Sequence, residues 1–416
     1  MSDSLKLCRN PSAMTNRQLA TLIIVSSLGY FVDAYDLIIF SAVRTHSLAD
    51  LGVSAADSLN VGLSLLNFQM FGLLLGGIVF GMLGDKRGRL TVLFGSISLY
   101  SIANILNGLV QTIAQYKAMR FLAGFGLAGE LGAAIAIVSE VMKTDRRTLG
   151  TMAVGTFGFL GAAVAGLVGT SIPWRLSFII GGVMGLVLLG MRLGLAESGL
   201  YARIRNEPVV KGNWFYLFSN RGRFFRYLRC IGAGLPTYFV VGVLATGAPE
   251  LGRALGLATP PVAGIALLVC YLAMSAGNIA CSMFSQVLRS RRVAIMTFNV
   301  IVLVGVLAFG FLPTPTAAVF YAKCGLLGFG CGFWALVATN AAEQFGTNMR
   351  ATVAITVPNF IRGALVPIAF LFTSLREVAG LLPSAVIVGA ATACIGFLSM
   401  LFSEETFRRN LDVVEM

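Results

Sequence analysis

The chain has 416 residues, of which 57% are hydrophobic and 12% are charged, and its formal net charge is +13 at pH 7. Soluble globular domains carry about 25% charged residues, so the composition excludes a soluble protein and indicates an integral membrane protein. The sequence has a lone histidine and dispersed cysteines, which argues against a histidine metal cluster and a Cys/His catalytic site. It also lacks a GxxxxGK[ST] stretch, which argues against an ATP-driven motor. We therefore expect no cofactor, no metal and no enzymatic activity.

Apolar stretches of about twenty residues predict twelve membrane-spanning helices, numbered spans 1 to 12 in chain order. They are placed at 19–42, 60–83, 90–110, 114–139, 149–171, 173–195, 227–249, 261–284, 293–312, 317–340, 353–375 and 381–402. Glycines scattered through them are typical of closely packed membrane helices.

Lys and Arg residues concentrate in alternate loops, and the largest group runs from Arg192 to Arg229. Few of them, Arg44 included, fall in the other loops. The positive-inside rule then places both termini in the cytoplasm. We further expect the membrane to be a bacterial-type inner (plasma) membrane. The polar N-terminal segment is not followed by a small-residue cleavage site, so we expect it to stay in the mature chain.

Span 1 contains two aspartates in the stretch GYFVDAYDLIIF. Asp33 and Asp36 are three residues apart and share one helix face, with Tyr35 on a neighbouring face. One carboxylate in a membrane helix costs about 2.5–3.5 kcal/mol on insertion scales, and such groups are functional by default. We expect Asp33 and Asp36 to couple transport to protons and Tyr35 to line a substrate site.

The loop between spans 2 and 3 reads GMLGDKRGRL and combines turn glycines, one acidic residue and several basic residues. Glycine permits a tight turn, the aspartate can cap the next helix, and the basic residues can meet anionic lipid or inner carboxylates. Contacts of this kind can stabilise one of two conformational states and be released in the other. The gating residues predicted here are Gly81, Asp85, Lys86, Arg87, Gly88 and Arg89.

Span 4 carries an arginine and a glutamate. Glu130 lies about 15 Å along the helix from Arg120, which places it near the middle of the membrane. We expect Glu130 to take part in proton coupling. Arg120 is assigned to gating.

An internal repeat indicates two halves of six spans. The triplet GFG occurs in span 4 and again in span 10, and a Glu and an Arg seven residues apart follow each copy. Parallel halves of this kind are a transporter architecture. The predicted parts are an N-terminal half at 1–199, a cytoplasmic linker at 200–225 and a C-terminal half at 226–416. The repeated pairs, also assigned to gating, are Glu140 with Arg147 and Glu343 with Arg350.

Spans 10 and 11 supply the predicted substrate residues. Arg362 lies near the middle of span 11, and a permanently charged planar guanidinium suits a carboxylate, sulfonate or phosphate. Asn359 lies one turn away. We also predict that two residues of span 10 bind substrate: Lys323 as a second cation, and Trp334 as an aromatic ring that lines the site.

Three stretches resemble the signatures of the major facilitator superfamily. GMLGDKRGRL at 81–90 matches its G-x-x-x-D-[RK]-x-G-R loop, RFLAGFGLAGE at 120–130 resembles its fourth-span signature, and EQFGTNMRAT at 343–352 resembles the stretch after span 10. The resemblance implies an all-α integral membrane fold with twelve transmembrane helices in two pseudo-symmetric six-helix bundles. It also implies a monomer that works by alternating access.

Shorter matches point to several branches of that family. DAYD at 33–36 resembles the span 1 motifs of aromatic-acid:proton and phosphate:proton symporters, and the former also carry an arginine in span 11, which Arg362 matches. LAGE at 127–130 resembles the metabolite:proton branch. PWRLSFIIGG at 173–182 and AESGLY at 196–201 resemble the sugar-porter and metabolite-symporter branches. The branch stays open.

The predicted function is secondary active, proton-coupled symport of a small organic anion. Its expected partners are the substrate, a proton and membrane lipid, and no nucleic acid. Two alternatives stay open: a proton-coupled antiporter that exports a cationic amine or drug through Asp33, Asp36 and Glu130, and a non-transporting sensor. The same carboxylates can also couple sodium.

Overall fold

The computed structural model describes residues 16–87, 89–130, 147–197 and 217–407, and within these ranges the chain is helical and without strands. The helices are Asn16–Asp50 (span 1), Ser58–Arg87 (span 2), Arg89–Asn107 (span 3), Ile113–Leu127 (span 4), Arg147–Ser171 (span 5), Trp174–Glu197 (span 6), Arg221–Phe239, Val240–Ala245 and Ala248–Ala254 (span 7), Ala263–Leu288 (span 8), Arg291–Phe311 (span 9), Ala317–Gly330, Cys331–Phe333 and Trp334–Gln344 (span 10), Thr347–Gly363 and Leu365–Ala379 (span 11) and Leu381–Leu401 (span 12).

Ten of the described helical segments are long and apolar enough to cross a membrane, and a shorter apolar helix covers Val92–Asn107. These are spans 1 to 3 and 5 to 12. In the described part of span 4, a turn at residues 128–129 separates the helix from Glu130. The predicted all-helical membrane fold is confirmed.

Span 1 is longer than hydropathy predicted, since its helix continues to Asp50 instead of ending near residue 42. Arg44, predicted in an outer segment, and His46 therefore lie within the helix. Hydropathy misses this extension because Arg44 is polar in sequence yet completely buried in the fold. Its partners are described with the site below.

The two GFG triplets have equivalent packing roles. A Cβ atom on Gly124 of span 4 would overlap the backbone oxygen of Gln69 in span 2. A Cβ atom on Gly328 of span 10 would likewise overlap the backbone oxygen of Cys270 in span 8. Small residues let membrane helices approach at backbone distance, so the repeated triplet marks repeated helix contacts.

Spans 7 and 10 each change helix type near the middle of the bundle. In span 7, Pro236 removes one backbone donor, and a π-helical segment, Val240–Ala245, follows. In span 10, a 3₁₀ turn at Cys331–Phe333 separates two α-helices. Tyr238 therefore lies just before one irregular segment, and Trp334 lies just after the other.

The segment after span 12 folds back onto the start of span 9. The Glu405 carboxylate accepts hydrogen bonds from the Ser290 hydroxyl and from the backbone amides of Arg291 (2.9 Å) and Arg292 (3.3 Å). Partial burial raises the pKa of the Glu405 carboxyl, but these hydrogen bonds and one from the Phe407 amide lower it, and the net pKa is below its ordinary value. Glu405 thus caps the first turn of span 9 as an anion.

Candidate functional site

Arg362 lies among aromatic side chains from spans 1, 7 and 10, and only 2% of its surface is exposed. Its Nε donates a hydrogen bond of 2.9 Å to the Tyr238 hydroxyl, and its guanidinium carbon lies 5.8 Å from the ring centre of Trp334. The rings of Tyr238 and Trp334 are 5.6 Å apart. Tyr30 lies within Coulombic range of the guanidinium. The fold thus brings the predicted Arg362 and Trp334 together with two tyrosines that sequence reasoning missed.

Asp33 faces the same region from span 1. It is 2% exposed and lies within Coulombic range of both Glu130 and Arg362. Neither of its carboxylate oxygens has a hydrogen-bond partner among the described residues. Within those residues Arg362 also forms no ion pair, so the two opposite charges are neighbours without direct contact.

Asn359 connects span 11 to span 4. Its Nδ2 donates to the backbone oxygen of Ala128 at 2.9 Å and to that of Ile355, one turn back in its own helix, at 3.0 Å. Its Oδ1 is 3.5 Å from Nη1 of Arg362, at the limit of a hydrogen bond. Asn359 was predicted to bind substrate, and in the structure both of its amide donors are already occupied by backbone oxygens.

Glu130 forms a buried ion pair with Arg192 of span 6. The side chains of the two residues are 0% and 4% exposed. A Cβ atom on Gly29 of span 1 would overlap both of them, so a glycine there makes room for the pair. The assignment of Arg192 to the cytoplasmic charges was wrong, because it lies inside the bundle and not at its surface.

Arg120 lies in the interior of the first six spans. Its Nη1 donates to Oδ1 of Asn104 and its Nη2 to the backbone oxygen of Asp36, both at 3.4 Å. Its guanidinium lies over the rings of Phe40 and Phe178, at 5.6 and 5.4 Å. Arg120 therefore accompanies Asp36, and the structure places it away from the loops where the other gating residues were predicted.

Tyr35 does not point to the Arg362 group. Its hydroxyl donates a hydrogen bond of 2.9 Å to the backbone oxygen of Ser177 in span 6. Gly181, one turn further along span 6, leaves space for the Tyr35 ring and for the Asp36 carboxylate. Tyr35 joins spans 1 and 6, and its predicted substrate contact is not supported by this placement.

Lys323 is also separate from the Arg362 group. Its Nζ donates to the backbone oxygen of Leu312 at 2.6 Å and to the hydroxyl of Thr314 at 2.7 Å, where span 9 ends and the next loop begins. It precedes Trp334 by eleven residues, which corresponds to about 16 Å along a helix. Lys323 was predicted to line the same site as Arg362, and the structure does not bring the two together, because helical periodicity shows which face a residue shares but not the depth at which it lies.

The Arg44 side chain of span 1 contacts the span 7 region, at the end of the bundle that is predicted to face outward. Its Nη2 lies 2.8 Å from both carboxylate oxygens of Glu250 and 3.1 Å from the backbone oxygen of Thr246, both in the span 7 region. Its Nη1 donates to the backbone oxygen of Ser58 at 3.0 Å. The ion pair is buried, with the two side chains 1% and 10% exposed.

Glu343 of span 10 pairs with Arg291 at the start of span 9, where the closest contacts are 2.6 and 2.8 Å. The sequence paired Glu343 with Arg350, whose side chain lies outside the described residues. The other predicted gating residues, or their side chains, lie outside the described residues: Gly81, Asp85, Lys86, Arg87, Gly88, Arg89, Glu140, Arg147 and Arg350.

Among the residues that the structure describes, no three His, Cys, Asp or Glu side chains are grouped so that they can hold a metal ion. The side chains brought together at the site are charged and aromatic. A guanidinium can bind an anion end-on, and a buried carboxyl can take up a proton.

A bundle of apolar helices with charged side chains buried at its centre is typical of membrane transporters. The family model of the Major Facilitator Superfamily matches residues 26–370, and the chain belongs to this family. Its relatives are transporters, which agrees with the expectation that the chain is not an enzyme. The family resemblance predicted from the sequence motifs is confirmed.

Three relatives are similar over part of their length. A putative metabolite transport protein of Haemophilus influenzae is 30% identical over 210 residues, which are 50% of each chain. The benzoate transport protein of Acinetobacter baylyi is 29% identical over 46% of this chain and 42% of its own. The niacin transporter NiaP of the same organism is 30% identical over 39% of this chain and 37% of its own. The matched segments span half or less of these relatives.

The proton:xylose symporter XylE, solved with 6-bromo-6-deoxy-D-glucose, has a similar fold. The TM-score is 0.74 at 14% identity, and the match covers 96% of this chain and 98% of the symporter. At this identity the similarity concerns the fold alone.

Proposed function

We propose that the protein is a secondary active transporter that carries a small organic anion together with a proton. The observation that carries the proposal is the state of Arg362. This guanidinium is 2% exposed, and no carboxylate among the described residues pairs with it. Burying a charge without an ionic partner is costly, so a site of this kind is suited to a ligand that brings the missing negative charge.

The surroundings of Arg362 favour a substrate with a ring. Tyr238 and Trp334 flank the guanidinium, and Tyr30 approaches from span 1. Aromatic side chains bury flat apolar surface and prefer offset or edge contacts with another ring. The names of two relatives, a benzoate and a niacin transporter, agree with an aromatic carboxylate as substrate.

Asp33 is the proposed site of proton uptake. Glu130 pairs with Arg192, and Arg120 donates to the backbone oxygen of Asp36, whereas Asp33 is the carboxylate that faces the Arg362 group. The carboxylate oxygens of Asp33, like those of Asp36, have no hydrogen-bond partner among the described residues. A change in the protonation of Asp33 therefore alters the charge balance next to Arg362, which links proton binding to anion binding.

Alternating access is the proposed mechanism. Asp33 and Arg362 come from the two predicted halves, at 1–199 and 226–416, so rocking of the halves opens their shared site to one side at a time. The buried pair of Arg44 and Glu250 would close the outer side. We further propose cytoplasmic termini, an inner-membrane location and a monomeric transporter, as the loop charges and the family resemblance imply.

Binding of anions to the purified protein tests the proposal. Benzoate, succinate and phosphate are titrated into the wild type, into Arg362→Ala and into Arg253→Ala, whose arginine is exposed on the short helix of span 7. We expect one of these anions to bind to the wild type and to Arg253→Ala. Binding should be at least about a hundredfold weaker in Arg362→Ala, since hydrogen bonds to charged groups contribute about 1.5–3 kcal/mol each. Equal affinity in Arg362→Ala for every anion that binds would reject the anion site.

Export of a cationic amine is the second candidate. The unpartnered Asp33 carboxylate favours it, because a buried anion can also be neutralised by an ammonium group. Under this candidate Asp33→Asn abolishes amine binding. Retention of amine binding in that variant would exclude it.

A further inference from the structure

The hydrogen bond to Tyr238 uses only one side of the Arg362 guanidinium. Nε donates to the hydroxyl at 2.9 Å, and Nη1 has no acceptor nearer than Oδ1 of Asn359 at 3.5 Å. An arginine has five N–H donors, and four of them are on the two terminal nitrogens. A neutral hydroxyl on Nε therefore fixes the plane of the group and leaves its end to receive both oxygens of a carboxylate.

The Asp33 carboxylate can compete for that end, because it lies within Coulombic range of Arg362. Several charged and titratable groups lie within Coulombic range of its carboxylate: Glu130, Asp36, Arg192, Arg362, Tyr30, Tyr100 and Tyr238. Opposite charges attract strongly in a buried site, yet no ion pair joins Asp33 to Arg362. Both carboxylate oxygens also lack a hydrogen-bond partner among the described residues. The hydrogen bond from Arg362 to the Tyr238 hydroxyl is a contact that can oppose this attraction.

We propose that Tyr238 is a positioning residue that holds Arg362 away from Asp33, so that one group can bind the anion while the other takes up the proton. The inference rests on the proposed symport and assigns a role to a residue of span 7. Tyr238 is suited to it because its ring packs against Trp334 and is 5% exposed, so the hydroxyl has a fixed position.

Removal of the hydroxyl predicts two linked changes. In Tyr238→Phe, Arg362 is released to pair with Asp33, so a substrate carboxylate has to displace an internal one. We expect benzoate binding to weaken by about tenfold, the size of one hydrogen bond to a charged group. The pH of half-maximal uptake should fall by about one unit, because a paired Asp33 accepts a proton only at higher proton concentration.

A double-variant cycle tests the proposal, with benzoate as the probe. Benzoate affinity by calorimetry and pH-dependent uptake into liposomes are measured for the wild type, Tyr238→Phe, Asp33→Asn and the double variant. The matched control is Tyr116→Phe, which removes another buried tyrosine hydroxyl, one bonded to Ser47 at 3.3 Å. We expect the loss of affinity from Tyr238→Phe to disappear in the Asp33→Asn background and the control to behave as wild type.

The melting temperatures of the ligand-free variants provide a second test of the inference, one that needs no substrate. If Tyr238→Phe lets Arg362 pair with Asp33, the change in melting temperature caused by Tyr238→Phe should depend on pH. In the Asp33→Asn background, the change caused by Tyr238→Phe should be independent of pH. Equal effects of Tyr238→Phe in both backgrounds, on melting and on binding, would overturn the inference. Unchanged anion binding in Arg362→Ala would instead reject the proposed function, so the two failures are distinguishable.

Discussion

Arg192 and Glu130 show how charged side chains are tolerated inside this bundle. The two belong to spans 6 and 4, are almost fully buried and form an ion pair. Such a pair adds little stability compared with apolar residues, but removal of one partner leaves the other charge uncompensated. The pair should therefore matter for folding even if it plays no part in substrate binding.

Arg192→Leu is expected to destabilise the protein by about 3–5 kcal/mol, because it leaves Glu130 as a lone buried anion. The double variant Arg192→Leu with Glu130→Leu should recover most of the loss. Thermal melting in detergent measures both. The control is Arg253→Leu, which replaces an exposed arginine and should cost at most about 0.5 kcal/mol. Equal melting of the wild type and Arg192→Leu would show that the ion pair carries no such role.

Sequence reasoning found the charged members of the site and Trp334 but missed the two tyrosines beside them. Asp33 and Arg362 stand out because charges are rare in apolar runs. Tyr238 does not, because a tyrosine in an apolar stretch reads as ordinary packing until its hydroxyl is seen to meet an arginine. Arg192 was missed because a charge near the end of a span is most simply assigned to the adjoining loop.

Span 10 shows that glycine spacing specifies how these helices approach each other. Gly328 and Gly325 lie one turn apart on the same helix, but a Cβ atom on Gly328 would overlap the Cys270 backbone, and one on Gly325 would meet only a Val269 methyl at 3.4 Å. The first position requires glycine and the second accepts a methyl group.

Gly328→Ala should therefore separate spans 8 and 10 and lower the melting temperature, with a cost of about 1–3 kcal/mol, the range measured for overpacked interiors. Gly325→Ala is the control and should be neutral. Monodispersity in size-exclusion chromatography and thermal melting compare the two. Equal behaviour of both variants would mean that the close approach is not needed.

The helical elements follow from hydropathy, but their irregular segments do not. VVGVLA at 240–245 reads as a plain apolar helix, and nothing in its composition shows that its hydrogen bonds are π-helical. The proline that precedes it indicates a break without giving its type. The break in span 10 is likewise hidden in a run of glycine and phenylalanine, and both breaks adjoin the candidate site.

Contacts between the first six and last six spans occur at more than one depth. Arg44 with Glu250 lies at the end predicted to face outward, and Asn359 with Ala128 lies beside Arg362. A transporter that alternates between two states must break some of these contacts in each cycle. The buried ion pair is the strongest candidate for the outer contact that opens.

Glu250→Gln is expected to increase the population open to the outside, because an amide replaces the charge that holds Arg44. Spin labels at positions 46 and 253, in a chain with Cys8 and Cys394 changed to serine, report the distance between spans 1 and 7. We expect a longer distance to gain population in Glu250→Gln. Arg175→Ala is the control, since its pair with Asp50 lies within the first six spans. An unchanged distance distribution in Glu250→Gln would exclude this ion pair as the outer gate.

The central claim is that one anion and one proton enter together through Arg362 and Asp33. Its most direct test is internal pH in proteoliposomes loaded with a pH-sensitive dye, on addition of benzoate, succinate, phosphate and organic amines in turn. We predict that one of the anions acidifies the interior of wild-type vesicles and that Arg362→Ala and Asp33→Asn abolish the signal. Acidification that persists in Arg362→Ala, or a pH change only with amines, would contradict the account.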